Sequence, residues 1–235
     1  MLTTYLDFHL WFVAPPFFAL LFVAGGRLQE RRRLEWAGVG IVLLIALAYT
    51  IPWDNYLIAR GVWDYAPGSV SMTVWLAPIE EYLFIALQSI VAGLWLYSLP
   101  PLEGTVSVSW RDRSLGVLAG VLVGAAGALL LVSEPTFYLG AILAWAGPVL
   151  ALQWGFGWPY LAAQPRRVAI GVAVPTVYFA VADRVAIATG IWRLSPEFVT
   201  GISVVGLPIE EGAFFLLTNL FVVQGLLLYS WVLRR

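Results

Sequence analysis

Two four-residue stretches carry most of the chemical potential of this chain. Pro78, Ile79, Glu80 and Glu81 recur as Pro208, Ile209, Glu210 and Glu211, so paired carboxylates sit twice inside otherwise apolar sequence. An aspartate precedes each pair, Asp54 and Asp183, and a Gly-x-Trp step lies between, Gly61 to Trp63 and Gly190 to Trp192. Six acids gathered away from water, with few bases nearby, should hold some protons and leave some sites free, because neighbouring carboxylates disfavour each other's charge. A proton donor beside a proton acceptor is what general acid-base catalysis needs. One Glu pair alone would be weak evidence. Its duplication together with the proline is a strong sign of a site.

The elements that must position these acids are membrane spans. The chain is 61% hydrophobic and 11% charged, against roughly half apolar and a quarter charged in a soluble domain. Apolar runs near the length of about 20 residues that crosses the hydrocarbon as helix recur throughout. They are Tyr5 to Gly25, Leu34 to Ile51, Thr73 to Tyr97, Leu115 to Val132, Phe137 to Gln153, Val168 to Ile187 and Val204 to Val232. The expectation is an all-α integral membrane protein of seven transmembrane helices, a single membrane domain over residues 1–235. Its first span lacks a basic leader and a small-residue cleavage site, so it reads as a retained helix.

Every basic residue is arginine, thirteen in all. Arg27, Arg31, Arg32, Arg33, Arg111, Arg113, Arg166, Arg167, Arg234 and Arg235 fall on one side of the expected bundle, against Arg60, Arg184 and Arg193 on the other. Basic residues concentrate in cytoplasmic loops, which places the N-terminus outside and the C-terminus inside a multi-pass protein of the cell membrane. Arg31 to Arg33 then read as a topogenic loop, and no nucleic-acid partner is implied. With no cysteine, disulfides and thiolate chemistry are excluded.

The duplication also organises the chain. Asp54, Gly61 and Trp63 match Asp183, Gly190 and Trp192 at an offset of 129, and the Pro-Ile-Glu-Glu stretches match at 130, so the second copy carries one inserted residue. The spans sort into a three-helix repeat (1–100), a linker with the fourth helix (101–133) and a second three-helix repeat (134–235). The copies stand four spans apart, which makes the repeats parallel, related by a pseudo-twofold axis along the membrane normal. At 1.5 Å per residue, Tyr82 to Leu99 covers about 27 Å and Gly212 to Val232 about 31 Å. Both Glu pairs therefore belong near the outer edge of the hydrocarbon, with Asp54 and Asp183 at the same level. Prolines that open helices would put the acids in first turns, where the helix dipole favours an anion.

Ionisable groups at that depth usually face the bundle interior. The plainer alternative is an interfacial set of glutamates, solvated or paired with Arg60, Arg184 or Arg193. Adjacent helical residues point about 100° apart, so the two members of a pair need not share a role. Asp54 and Asp183 suit a cap or an ion pair as readily as a reaction. Trp63 and Trp192 suit an interfacial belt. Of thirty-five aromatic residues, Trp75, Tyr82, Phe84, Phe214 and Phe215 lie close to the acids in sequence, where ring faces could stabilise a cation. His9, the single histidine, reads as interfacial.

Several chemistries have no support. There is no Gly-x-Gly-x-x-Gly turn for a flavin or nicotinamide, no His-Glu-x-x-His for zinc, no paired aspartate-rich helix for magnesium and diphosphate, and no lysine for a retinal Schiff base. A membrane protein of this length, with Pro-x-Glu-Glu in two parallel three-helix repeats each preceded by an Asp…Gly-x-Trp segment, resembles the cofactor-independent lycopene cyclases of archaea, some bacteria and fungi. The likeness covers about the whole chain and rests most specifically on the two Pro-Ile-Glu-Glu stretches. The two copies are asymmetric at Gly212, which stands where the first has Tyr82.

That resemblance implies an intramolecular lyase or isomerase that takes lycopene through gamma-carotene to beta-carotene without cofactor or metal. A carboxylic acid would protonate the terminal double bond, the internal double bond would close a six-membered ring on the cation, and a base would remove a proton. Glu80 and Glu210 are the expected acid and base, with Glu81 and Glu211 setting their protonation and Asp54 and Asp183 in support. Trp63, Trp192, Tyr82, Phe84, Phe214 and Phe215 would line the hydrocarbon substrate. Both copies are expected to face one site. The competing readings are a cyclase of another acyclic C40 or C50 carotenoid, a carotenoid-binding protein without turnover, and a proton-coupled transporter. Against the last stands the fourth span, nearly all Gly, Ala, Val and Leu. The expected partners are the carotenoid and the lipid bilayer.

Overall fold

The seven expected spans are seven helices, each long and apolar enough to cross a membrane, among the residues that the computed structural model describes, 4–27, 32–100 and 106–234. The expected linker start at 101 and two of the orienting arginines, Arg31 and Arg235, lie outside the described residues. Helix α1 runs from Tyr5–Phe8 through a π-helical turn, His9–Val13, into Ala14–Arg27. The widened turn ends beside Pro15 and Pro16, whose missing N–H groups cannot continue an α-ladder. Thr4 and Asp7 cap its start reciprocally, at 3.0 and 3.1 Å, satisfying two otherwise orphan donors.

The remaining helices are α2 (Arg32–Ala59), α3 (Ile79–Ser98), α4 (Trp110–Leu130), α5 (Phe137–Ala162), α6 (Pro165–Thr189) and α7 (Ile209–Val232). The third and seventh spans do not start at Thr73 and Val204 as expected. Those residues open short hairpins, β2 (Thr73–Val74) with β3 (Ala77–Pro78), and β5 (Ser203–Val204) with β6 (Leu207–Pro208). Trp75 (φ 62°) and Val205 (φ 52°) make the tight turns, and the proline that ends each hairpin is the N-cap of the following helix, with extended ψ of 151° and 139°. An apolar run is not enough to start a helix when the backbone must reverse within four residues. The consequence is that Glu80, Glu81, Glu210 and Glu211 all fall in first helical turns.

One more pair of strands closes this end of the bundle. β1 (Trp63–Tyr65), after α2, runs antiparallel to β4 (Trp192–Leu194), after α6, with Asp64 opposite Arg193 and each flanking tryptophan opposite the residue two beyond the other. Tyr5 N–H donates to Ser69 O at 2.7 Å and Tyr138 N–H donates to Phe198 O at 3.0 Å, so the starts of α1 and α5 are tied to the same loops. Among the aromatic and aliphatic clusters that fill the interior of the described residues, two mark its ends. One, at the hairpin end, includes Phe8, Phe84, Phe179 and Phe215; the other, toward the opposite end, includes Leu96, Val172, Leu226 and Trp231.

Helix α4 is fastened differently. Its Gly116, Gly120 and Gly127 lie directly on the backbone of α5, so that a β-carbon on any of them would collide with main-chain atoms of Trp154, Ala151 and Ala144. Where lipid surrounds both helices, such close backbone approach supplies the attraction that hydrophobic burial cannot. The outer face of α4, including Leu118, Val121 and Leu122, is exposed. Gly120→Leu is therefore expected to destabilise the protein by about 1–3 kcal/mol through overpacking, seen as a lower unfolding temperature in detergent, whereas Val121→Leu on the exposed face leaves that temperature unchanged.

Candidate active site

Successive residues on a helix turn about 100°, and each Glu pair divides accordingly. Glu80 Oε1 accepts the Ser71 N–H at 2.8 Å, and Glu210 Oε1 accepts the N–H and the hydroxyl of Thr200, both at 2.7 Å. These two glutamates are almost fully buried and hold the loops ahead of β2 and β5 against the starts of α3 and α7. Glu81 and Glu211 turn inward instead. Glu81 Oε2 accepts the phenols of Tyr5 and Tyr65, both at 2.8 Å, and Glu211 Oε1 accepts the phenol of Tyr138 at 2.9 Å.

Both inward carboxylates line one cavity of about 50 Å³. Asp54, from the last turns of α2, and Asp183, from the last turns of α6, share its wall and are 4% and 2% exposed. Trp192 Nε1 donates to Asp183 Oδ1 at 3.1 Å, while Trp63 Nε1 donates to the Tyr65 hydroxyl at the same distance. Trp63, Tyr65 and Glu81 thus form a chain of donors ending on a carboxylate. Loss of water, followed by the neighbouring charge of Glu81, raises the Tyr65 phenol well above its ordinary pKa, so it remains a donor. The rest of the wall is Leu194 and four aromatic rings, Trp53, Phe84, Phe214 and Phe215.

The hairpins above the cavity are pinned from below. Asn55 Oδ1 accepts the N–H groups of Leu76 and Ala77 at 2.8 and 3.0 Å, and Arg184, the residue after Asp183, donates to Val205 O. Tyr82 joins this clamp, donating to Val74 O at 2.6 Å.

A protein wall of this kind presents two carboxylates, each already oriented by phenols, to anything that enters between the ring faces. It can give and take protons at an apolar group and can face a positive charge with π-systems.

A lycopene beta-cyclase from Halobacterium salinarum is 56% identical over 237 residues, which cover 100% of this chain and 99% of the relative. The chain belongs to the lycopene cyclase family. Bifunctional lycopene cyclase/phytoene synthases also match it, that of Aspergillus oryzae at 32% identity over 86% of this chain and that of Blakeslea trispora at 31% over 94%. In those fungal relatives the match takes up 36% and 38% of their length. No family model and no solved structure matches.

Within this family member, Glu81, Glu211, Asp54, Asp183, Trp63, Trp192, Phe84, Phe214 and Phe215 come together at the cavity. Glu80, Glu210 and Tyr82 do not line it; they bond to the loops and hairpin instead, because one step along the helix points them away. His9 is not interfacial but buried, with Nδ1 2.9 Å from Tyr5 O. Nor do the arginines partner the glutamates in the way the plainer reading allows: Arg60 lies over the Phe137 ring, 4.8 Å from its centre, and Arg184 serves the hairpin.

Sequence reasoning missed Tyr5, Tyr65, Tyr138 and Trp53. A signal for two of them was present. Tyr5-Leu6 is followed by Pro15, and Tyr138-Leu139 by Pro148, at a common offset of 133. Apolar similarity between spans is too common to notice, but a shared phenol at the mouth of each is informative. Asn55→Leu should leave two N–H groups of the hairpin without their acceptor, at about 1–3 kcal/mol for each one kept from water. Thermal unfolding in detergent measures it, and Tyr82→Phe, which loses the bond to Val74 O and a longer one of 3.3 Å from Asn55 Nδ2 but leaves no hairpin N–H without its acceptor, should cost less.

Proposed function

We propose that the chain cyclises lycopene, closing its linear ends into β-ionone rings by way of gamma-carotene to beta-carotene, without redox change. The observation that carries this reading is the pair of inward carboxylates, Glu81 and Glu211, each bonded to a phenol from the first helix of its own half and both lining one aromatic cavity. The matched contacts of the two halves, Tyr5 with Glu81 and Tyr138 with Glu211, support two parallel repeats that face one site. The arginine distribution supports a hairpin end on the outer side of the cell membrane, with the N-terminus out and the C-terminus in.

We assign the proton to Glu81 and Glu211 in place of Glu80 and Glu210, since the former line the cavity and the latter hold loops. Glu81 receives two phenolic hydrogens on one oxygen, an arrangement that suits an acceptor-only carboxylate, and acts as the base. Glu211, with a single phenol, acts as the acid. Its proton adds to the terminal C=C, leaving a tertiary carbocation. The neighbouring internal C=C attacks that carbon, a C–C bond closes the six-membered ring, and the charge moves onto the ring. Glu81 takes a proton from the carbon beside the charge, whose C–H electrons become the ring double bond. Substrate and product are isomers, so no atom or electron is left over. Asp54 and Asp183, on the same wall, provide the route by which the proton returns to Glu211.

Trp53, Trp63, Trp192, Phe84, Phe214 and Phe215 surround the cation with ring faces. Exclusion of water matters as much, because a water molecule would capture the cation before the base acts.

Expression in cells that accumulate lycopene, followed by pigment analysis, should yield cyclised carotenoid; unchanged lycopene from protein folded in the membrane overturns the reading. Glu81→Gln and Glu211→Gln should each lower ring formation by about 10²–10⁴-fold. Glu80→Gln and Glu210→Gln keep an oxygen for Ser71 and Thr200 and should retain most activity. The opposite ranking would return the proton to Glu80 and Glu210.

A further inference from the structure

A cavity of about 50 Å³ is far smaller than the roughly 150 Å³ that takes a single benzene ring. The reacting end of a carotenoid therefore enters only if part of the aromatic wall moves, and the rest of its long chain must lie somewhere else. A second cavity, of about 530 Å³, begins where the first ends, since Phe214 lines both. Between them stand three rings. Trp53 stacks on Trp145 with centres 4.9 Å apart, and lies parallel to Phe214, 3° between planes, at 6.0 Å. Trp145 in turn is 6.3 Å from Phe214.

From this collar the second cavity runs as a groove between α2, α3, α5 and α7. On α7 it follows one face from Phe214 to Tyr229, a distance of about 22 Å at the helical rise. It ends at Gly38, where a β-carbon would meet the Tyr229 ring at 2.7 Å. Several of its few polar groups are turned to protein partners. Gln88 donates to Thr218 at 2.8 Å and Gln153 to Phe221 O at 2.9 Å. Nothing in such a wall would select a headgroup or an ion. Ile41, Ile45 and Leu152 line the groove and are also exposed on the outside of the bundle, so it opens sideways between α2 and α5.

We propose that this groove holds the linear polyene of the carotenoid, which enters from the bilayer between α2 and α5 and passes its end to Glu81 and Glu211 through the collar of Trp53, Trp145 and Phe214. The occupant is set by continuity: an apolar channel that shares a wall residue with the reaction cavity serves the molecule that reacts there. Phe214 and Trp53 turn aside when the end group arrives and close behind it. The inference rests on the function proposed above, but its test does not depend on turnover.

Gly225 lines the groove, and a β-carbon there would touch only Gln153 and Val42, each at 3.5 Å, so larger side chains project into the channel. Ala46 lines it from α2. The Glu81→Gln Glu211→Gln protein, purified in detergent from lycopene-accumulating cells, should carry lycopene, read from its visible absorption. Adding Gly225→Phe, or separately Ala46→Phe, should lower the retained lycopene at least tenfold in protein that still elutes and unfolds like its parent. Retention at the parental level in either folded variant overturns the proposal. So does a parent that carries phospholipid in the groove and no lycopene. Should the unaltered protein bind lycopene yet leave it uncyclised, the proposed function fails while the groove stands.

Discussion

The structure depends on how carboxylates are kept inside an apolar bundle. An unpartnered acid in that setting costs several kcal/mol, so each of the four glutamates must be hydrogen-bonded where the helix happens to point it. In each pair the rotation of about 100° between neighbours gives one acid to the loop and one to the cavity. The loop-facing glutamates fix the position of the hairpins, the hairpins fix the first turns of α3 and α7, and those turns aim Glu81 and Glu211. A buried salt bridge could have neutralised the charge, but it would also have occupied the oxygens. Phenols orient a carboxylate while leaving it able to exchange a proton.

The same economy shows in the polypeptide that surrounds the site. The strands β1 and β4 join the loop after α2 to the loop after α6, so Trp63 and Trp192 are held by backbone bonds between the two halves of the chain. Rigidity at this end contrasts with the sides of the bundle, where α2 meets α5 through side chains gathered on Trp145, the Tyr49 hydroxyl on its carbonyl at 2.8 Å and the rings of Tyr49 and Trp53 stacked on its indole. Precision is concentrated at the carboxylates proposed to move protons, and looseness where a long hydrocarbon would pass.

Much of this was legible in the sequence, for reasons that differ from part to part. Seven spans follow from composition, because hydrocarbon imposes length and apolarity on any helix that crosses it. The acids stood out because ionisable residues are costly there. What could not be read was which member of each pair faces inward. That depends on whether the helix starts at Thr73 or at Ile79, and the hairpin that decides it is built from residues as apolar as the span itself. Tyr5 and Tyr138 were hidden for a related reason: a tyrosine at the mouth of a membrane helix is ordinary, and only its bond to a glutamate far along the chain makes it a part of the site.

The bonding of Glu81 has a stereochemical consequence. Both phenols attach to Oε2, so a single oxygen, Oε1, is left to meet a substrate, and it can do so from only one direction. In the proposed role of base, a carboxylate fixed in this way would take its hydrogen from one face of a planar cation and always the same one. The carbon concerned, where the new C–C bond has just formed, carries a single hydrogen and is for that moment a stereocentre, and the finished double bond erases its configuration. Handedness would thus be built into a reaction whose product has none to show, held only in the short-lived cation whose one departing hydrogen must point toward Glu81.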